Sequence, residues 1–205
     1  MKNNYLLNNR CFEEATRFQY ITRSMFKLAF LNKKYNLIKR NDNILDLGAA
    51  PGSWLQYTKK IIANENILVG IDQIPIHLIS KKNMFFLKHN VLNLKISQLY
   101  KKIDKHPFNF DIIVSDVLTN TTGIKIIDAH NNYILSNSIF KYSALLLKKD
   151  GICVTKILSN QYKNLIVQKY KKMFNKIIIE KSSISRKTSN EIYIIGYQKK
   201  SILFL

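Results

Sequence analysis

A chain of 205 residues with 46% hydrophobic side chains can bury a real core, which excludes a disordered tail. Its 33 basic and 13 acidic residues leave a formal charge of +20, which selects a polyanionic partner and argues against a small-molecule enzyme. No stretch is long and apolar enough to span a bilayer, so no membrane role is expected, and Cys11 and Cys153 are too few for a disulfide framework or a zinc site. Coding bias toward Lys and Asn would raise the basic count but need not deplete the acids.

The chain reads as one domain over residues 1–205, opening with a basic, helical segment over 1–42. Residues 1–10 lack a secretory apolar core, and Glu13 and Glu14 weigh against a transit peptide. An intracellular protein is expected, with cytoplasm, nucleus and an organelle such as the mitochondrion all open. An amphipathic helix is predicted over 25–39, where Lys27 interrupts Met25-Phe26-Lys27-Leu28-Ala29-Phe30-Leu31. Alone, that lysine reads as an ordinary solvated one.

A strand over 43–47 then runs into Asp46-Leu47-Gly48-Ala49-Ala50-Pro51-Gly52, which holds two of the six glycines and one of the three prolines. Small residues between a strand and a helix, predicted over 54–62, let backbone amides approach a ligand closely. The spacing is not that of G-x-G-x-x-G, which disfavours nicotinamide or flavin. The next strand, 67–71, ends at Asp72, placed as a ribose-binding carboxylate would be.

Further strands are predicted over 85–87, 111–115, 152–158, 176–179 and 192–197, with helices over 131–148 and 161–174. Unalternating apolar runs mark strands buried on both faces, hence an α/β fold with a mostly parallel sheet, helices on both faces and ligands at the strands' carboxyl ends. Asp116 follows the strand 111–115 and emerges at that edge. Lys156 breaks the apolar run Ile152-Cys153-Val154-Thr155-Lys156-Ile157-Leu158, and a lysine inside a central strand is rare unless paired or functional. Glu191 precedes the last strand and reaches the same edge if that strand runs antiparallel. Singly, either acid also reads as a solvated surface group.

These motifs resemble the FtsJ/RrmJ-type ribose 2'-O-methyltransferases of ribosomal RNA over residues 12–198. The matching runs are Arg23-Ser24-Met25-Phe26-Lys27-Leu28, residues 46–54, Asp72-Gln73-Ile74-Pro75, Ser115-Asp116, residues 120–123, Val154-Thr155-Lys156 and residues 186–193. The resemblance implies a Rossmann-like, S-adenosylmethionine-dependent methyltransferase fold with an antiparallel last strand. It makes Lys27, Asp116, Lys156 and Glu191 the catalytic set, with Lys156 as base or orienting group and no metal. It places Gly48, Gly52 and Trp54 at the methionine end of the cofactor, Asp72 at its ribose and Asn90 at its adenine, with Pro51 and Asp116 also among the cofactor-binding residues.

The chain departs from the family pattern in three places: Asn90 stands for an aspartate, Ser53 for a loop glycine, and Ser115-Asp116-Val117-Leu118-Thr119-Asn120 for Ser-Asp-Met-Ala-Pro-Asn. An Asn carbonyl can still accept from an adenine amino group. RNA contacts are expected from Arg23, Lys33, Lys34 and, on the opposite flank, Arg186, with ribosomal RNA or a ribosomal subunit as partner and the protein a monomer. The competing readings are a methyltransferase of tRNA or of an mRNA cap ribose, and a non-catalytic RNA-binding ribosome-assembly protein.

Overall fold

The apolar runs become strands of a single sheet. The computed structural model describes residues 21–76, 82–159, 161–181 and 190–201. Its strands are β1 (Ile44–Leu47), β2 (Leu68–Asp72), β3 (Met84–Lys88), β4 (Phe110–Ser115), β5 (Leu147–Leu158), β6 (Phe174–Glu180) and β7 (Glu191–Lys199). The helices are α1 (Met25–Tyr35), α2 (Ser53–Lys59), α3 (Ile96–Ile103), α4 (Lys125–Leu146) and α5 (Lys163–Met173). The strand order is β3-β2-β1-β4-β5-β7-β6. Neighbours from β3 to β5 pair in parallel, whereas β7 lies antiparallel between β5 and β6.

The two-residue period of the strands divides the core between two layers. Leu45, Leu47, Val69, Ile71, Ile113 and Cys153 pack on one face with Leu135 and Ile139 of α4 and Ile166 and Tyr170 of α5. Ile44, Leu68, Ile112, Val114 and Val154 pack on the other with Leu28 and Leu31 of α1 and Leu55 of α2. Each such fully buried aliphatic side chain is worth about 1.5–3 kcal/mol, and both layers hold the carboxyl ends of the parallel strands in one row.

Several boundaries differ from those predicted. The helix expected over 25–39 stops at Tyr35 because Asn36 turns left-handed (φ 49°), its N–H bonding the Asn32 carbonyl, and Leu37 and Ile38 bury outside the helix. The second helix covers Ser53–Lys59 in place of 54–62. The long helix begins at Lys125, six residues ahead of 131; its first turns leave Ile126 and Ile127 exposed, so no amphipathic periodicity marked them. β5 starts at Leu147 in place of 152, so Leu147 and Lys148, expected to end the long helix, belong to the strand together with Lys149 and Asp150. The sequence reading also missed α3, an eight-residue helix that buries Leu99 and Ile103. Among the described residues no helix is long and apolar enough to cross a membrane.

Candidate active site

Four strand ends build the site. Gly48 follows β1, Asp72 closes β2, Asp116 follows β4 and Lys156 lies near the carboxyl end of β5. Because β7 runs antiparallel, its first residue, Glu191, arrives at that same edge, opposite Leu158, and Tyr193 pairs with Lys156. α1 crosses this edge and adds Lys27.

The four residues predicted to act together meet in one chain of contacts. Lys156 Nζ lies 3.0 Å from Asp116 Oδ1 and 3.9 Å from Glu191 Oε1. Lys27 Nζ donates to the other Glu191 oxygen at 2.8 Å. Lys156 is buried at 7% exposure, while the other three side chains are about one-fifth exposed. A lysine so buried needs carboxylates around it, because an unpaired ammonium in that position would be costly. Tyr193, fully buried behind them, donates its hydroxyl to Asp116 Oδ1 at 2.7 Å. Burial, and then the Asp116 charge, push the Tyr193 phenol well above its usual range, so it serves as a fixed donor. Sequence reasoning did not single Tyr193 out; its period-2 relation to Glu191 was the available signal.

Beside this network lies a cleft of about 200 Å³ lined by Gly48, Asp72, Asn90, Val117, Thr119 and Leu135, among others. A smaller hollow of about 40 Å³, lined by Gly48, Ala50, Pro51, Trp54 and Asp116, adjoins it across Gly48. Gly48 has a positive φ of 84°, and a Cβ there would stand 2.3 Å from that of Val117, so only glycine fits. Gly52 (φ 112°) opens α2. Asp72 accepts the Ala50 N–H on one oxygen and the Ile74 N–H on the other, both at 2.9 Å, which fixes the carboxylate while leaving lone pairs toward the cleft.

Asn90 spends part of its acceptor capacity locally. Its Oδ1 takes the Leu92 N–H at 2.8 Å and caps the 3-10 turn Val91–Asn93, leaving one oxygen lone pair and the amide donors at the cleft wall. Trp54 is buried, and its indole N–H donates to the Ser24 carbonyl, which fastens the start of α1 to the loop. Ser53, where the family has glycine, is fully buried with its hydroxyl 2.7 Å from that of Thr22. That contact accounts for the departure.

One residue near the loop was overlooked as a ligand group. Asp46 is 2% exposed and neither carboxylate oxygen has a hydrogen-bond partner. Burial, followed by the charges of Asp116 and Asp72, pushes its carboxyl well above the usual range. A buried acid of this kind fits a cationic ligand group, and S-adenosylmethionine carries both an ammonium and a sulfonium. Gly48, Asp72, Asn90 and Asp46 together therefore suit that cofactor. No cluster of three or more potential metal ligands occurs among the described residues.

The expected RNA contacts divide. Arg23 and Lys33 are exposed on and before α1. Lys34 is held on Glu180 of β6 at 2.7 Å, with Tyr35 donating to the same carboxylate, so it anchors α1 to the sheet. Arg186 lies outside the described residues.

Fold and site define a class: an S-adenosylmethionine-dependent methyltransferase on a Rossmann-like sheet. The profile of the FtsJ-like methyltransferases matches residues 20–199. A protein of Desulfatibacillum aliphaticivorans named ribosomal RNA large subunit methyltransferase E is 33% identical over 188 residues, covering 92% of this chain and 89% of its own. One of the same name from Bdellovibrio bacteriovorus is 32% identical, covering 92% and 95%. The crystal structure of a ribosomal RNA methyltransferase from Plasmodium falciparum superposes with a TM-score of 0.75 at 27% identity, covering 88% of this chain and 98% of that one. The chain belongs to the FtsJ-like methyltransferase family.

Proposed function

We propose that the protein methylates a ribose 2'-hydroxyl of RNA, with ribosomal RNA of the large subunit as substrate and the monomer as the acting form. The observation that carries this reading is the buried Lys156 ammonium clamped by Asp116 and Glu191 beside the cofactor cleft. The substrate class follows the relatives' names and the +20 charge. A monomer suffices because one chain supplies all four polar groups.

S-adenosylmethionine supplies an already activated methyl group, so the protein's task is to align a weak nucleophile and manage one proton. An ammonium has three donors. Asp116 fixes the direction of Lys156 Nζ, and Glu191, itself held by Lys27, closes the other side. The remaining donor capacity holds the 2'-oxygen with a lone pair turned toward the cleft. As the methyl leaves the donor's sulfur for the ribose oxygen, the hydroxyl proton would pass to a carboxylate of this network, Asp116 or Glu191, because the Lys156 ammonium has no lone pair to accept it. Arg23 and Lys33 bring phosphates to the rim.

The test is transfer of labelled methyl to isolated large ribosomal subunits, free ribosomal RNA and tRNA, followed by mapping of alkali-resistant linkages. Label in alkali-resistant dinucleotides from large-subunit RNA is expected. Label on bases alone, or in none of these RNAs, would overturn the reading.

A further inference from the structure

The face shared by α4 and α5 carries an aromatic and cationic cluster that methyl transfer does not use. Tyr133 of α4 stacks on Tyr162, the residue preceding α5, with ring centroids 4.8 Å apart and planes at 23°. His130, exposed and one turn before Tyr133, sets its ring 6.0 Å from that of Tyr162. Lys169 of α5 holds its ammonium 5.2 Å from the centre of the Tyr133 ring and donates to the Tyr133 hydroxyl and to Asn137. His130, Tyr133 and Asn137 are spaced i, i+3, i+7, so they form one stripe of α4. The two tyrosines are half-buried, packed inward on the core and open outward.

The cluster stands at the catalytic rim. Asn132, beside Tyr133, donates to Thr119 Oγ1 at 3.0 Å, and Thr119 lines the cofactor cleft together with Leu135 of the same helix. Tyr162 follows Lys156 by six residues, so their Cα atoms lie within about 20 Å of each other. At about 3.4 Å per stacked nucleotide this is a reach of roughly six nucleotides.

We propose that this cluster is a base-stacking platform for a single-stranded part of the RNA that flanks the methylated nucleotide. The proposal rests on the RNA-methyltransferase reading and adds a contact surface to it. Stacked aromatic rings with cations beside them suit unpaired nucleotides, because every base offers a π-face and every step a phosphate. Among the described residues Lys125, Lys163 and Lys169 form no ion pair, so this face keeps its positive charge. Asp128, the acid on this stretch, is turned onto the Thr122 N–H and hydroxyl.

The experiment measures binding of a fluorescein-labelled single-stranded RNA of about 15 nucleotides by anisotropy, a length that spans one stacking site and its flanks. Tyr162→Leu keeps bulk but not stacking, and should weaken binding about ten-fold, within a range of roughly 5- to 100-fold. Tyr162→Phe should bind within about two-fold of the native protein, since the π-face remains. Lys169→Gln should flatten the logarithmic salt slope by about 0.7, the single-strand value for one phosphate contact. Cofactor affinity, read by calorimetry, should be unchanged in all three. Independently of any variant, a 4-thiouridine RNA photo-crosslinked to the native protein should label the tryptic peptides 126–141 and 157–163, which carry Tyr133 and Tyr162. Native affinity in Tyr162→Leu, equal losses in the Leu and Phe variants, or crosslinks confined to other peptides would overturn the proposal and leave the cluster as helix packing or a protein contact. Binding and crosslinking are read without turnover, so their failure is distinct from a failure to methylate RNA.

Discussion

Replacing Lys156 by Met tests the central chemical claim with the least structural damage. The methionine keeps the unbranched stem inside β5, between Thr155 and Ile157, and removes only the ammonium. Losing one partner of a buried ion pair commonly costs about 3–5 kcal/mol, because the other charge is stranded. Here neither acid is stranded: Asp116 keeps the Tyr193 hydroxyl at 2.7 Å and Glu191 keeps Lys27 at 2.8 Å. Both acids are also partly exposed, so the loss should be nearer 1–2 kcal/mol, or roughly 2–8 °C in Tm for a chain of this size. The rate should fall far more, by about 10²- to 10⁴-fold, the usual range for a group that positions a nucleophile or handles its proton. Single-turnover transfer at saturating RNA and cofactor isolates that step, and calorimetry checks that cofactor affinity is retained. A folded Lys156→Met protein that binds both ligands and transfers methyl at the native rate would refute the assignment.

Gly48→Ala should weaken cofactor binding at least ten-fold by calorimetry, because the left-handed φ costs about 1–2 kcal/mol and the new Cβ displaces Val117 from the cleft wall. Native affinity would show that the wall yields freely. Asp46→Asn should change the pH dependence of stability in the cofactor-free protein. Burial raises the folded carboxyl's pKa, so the stability it contributes is full below the unfolded value of about 3.9 and is lost as pH rises toward the folded value. The native protein should therefore lose up to about 1.4 kcal/mol per pH unit relative to the variant within that window. Parallel denaturation-midpoint curves for the two proteins from acid to mildly alkaline pH would contradict this. S-adenosylmethionine should also raise the Tm of the native protein more than that of Asp46→Asn at neutral pH.

The parallel half of the sheet was legible because its strands are largely apolar runs without alternation, and Lys156 stood out against one of them. Asp46 breaks the run Ile44–Leu47 in the same way, yet it was absorbed into the loop motif. The place of β7 was not legible, since a strand last in sequence sits next to last in space and only long-range pairing decides that. Lys27 looked like any exposed helix lysine; its meeting with Glu191, 164 residues away, is a property of the fold. Lys34, expected to face RNA, remains half-exposed while pairing with Glu180, a partner 146 residues away that no local pattern announces. The Tyr133–Tyr162 stack joins the long helix to the start of the next, and no local pattern announces it.

The insertion of β7 between β5 and β6 has a consequence for the order in which the protein comes into being. Gly48, Asp72, Asn90 and Asp116 are all in place before residue 120 is made, so the half that recognises the methyl donor can take shape early. During synthesis, until residue 191 and the strand after it emerge, β5 keeps an unpaired edge and β6 lacks the antiparallel neighbour that joins it to the sheet. Glu191, the clasp between Lys27 and Lys156, is added by that last pairing, and its contact with Lys27 joins residues 164 apart in the sequence. Without β7 the groups that face the methyl donor lack the Glu191 clasp that aligns an acceptor. Catalytic competence thus depends on the pairing of β7, the strand that carries Glu191 to the edge where Lys156 waits.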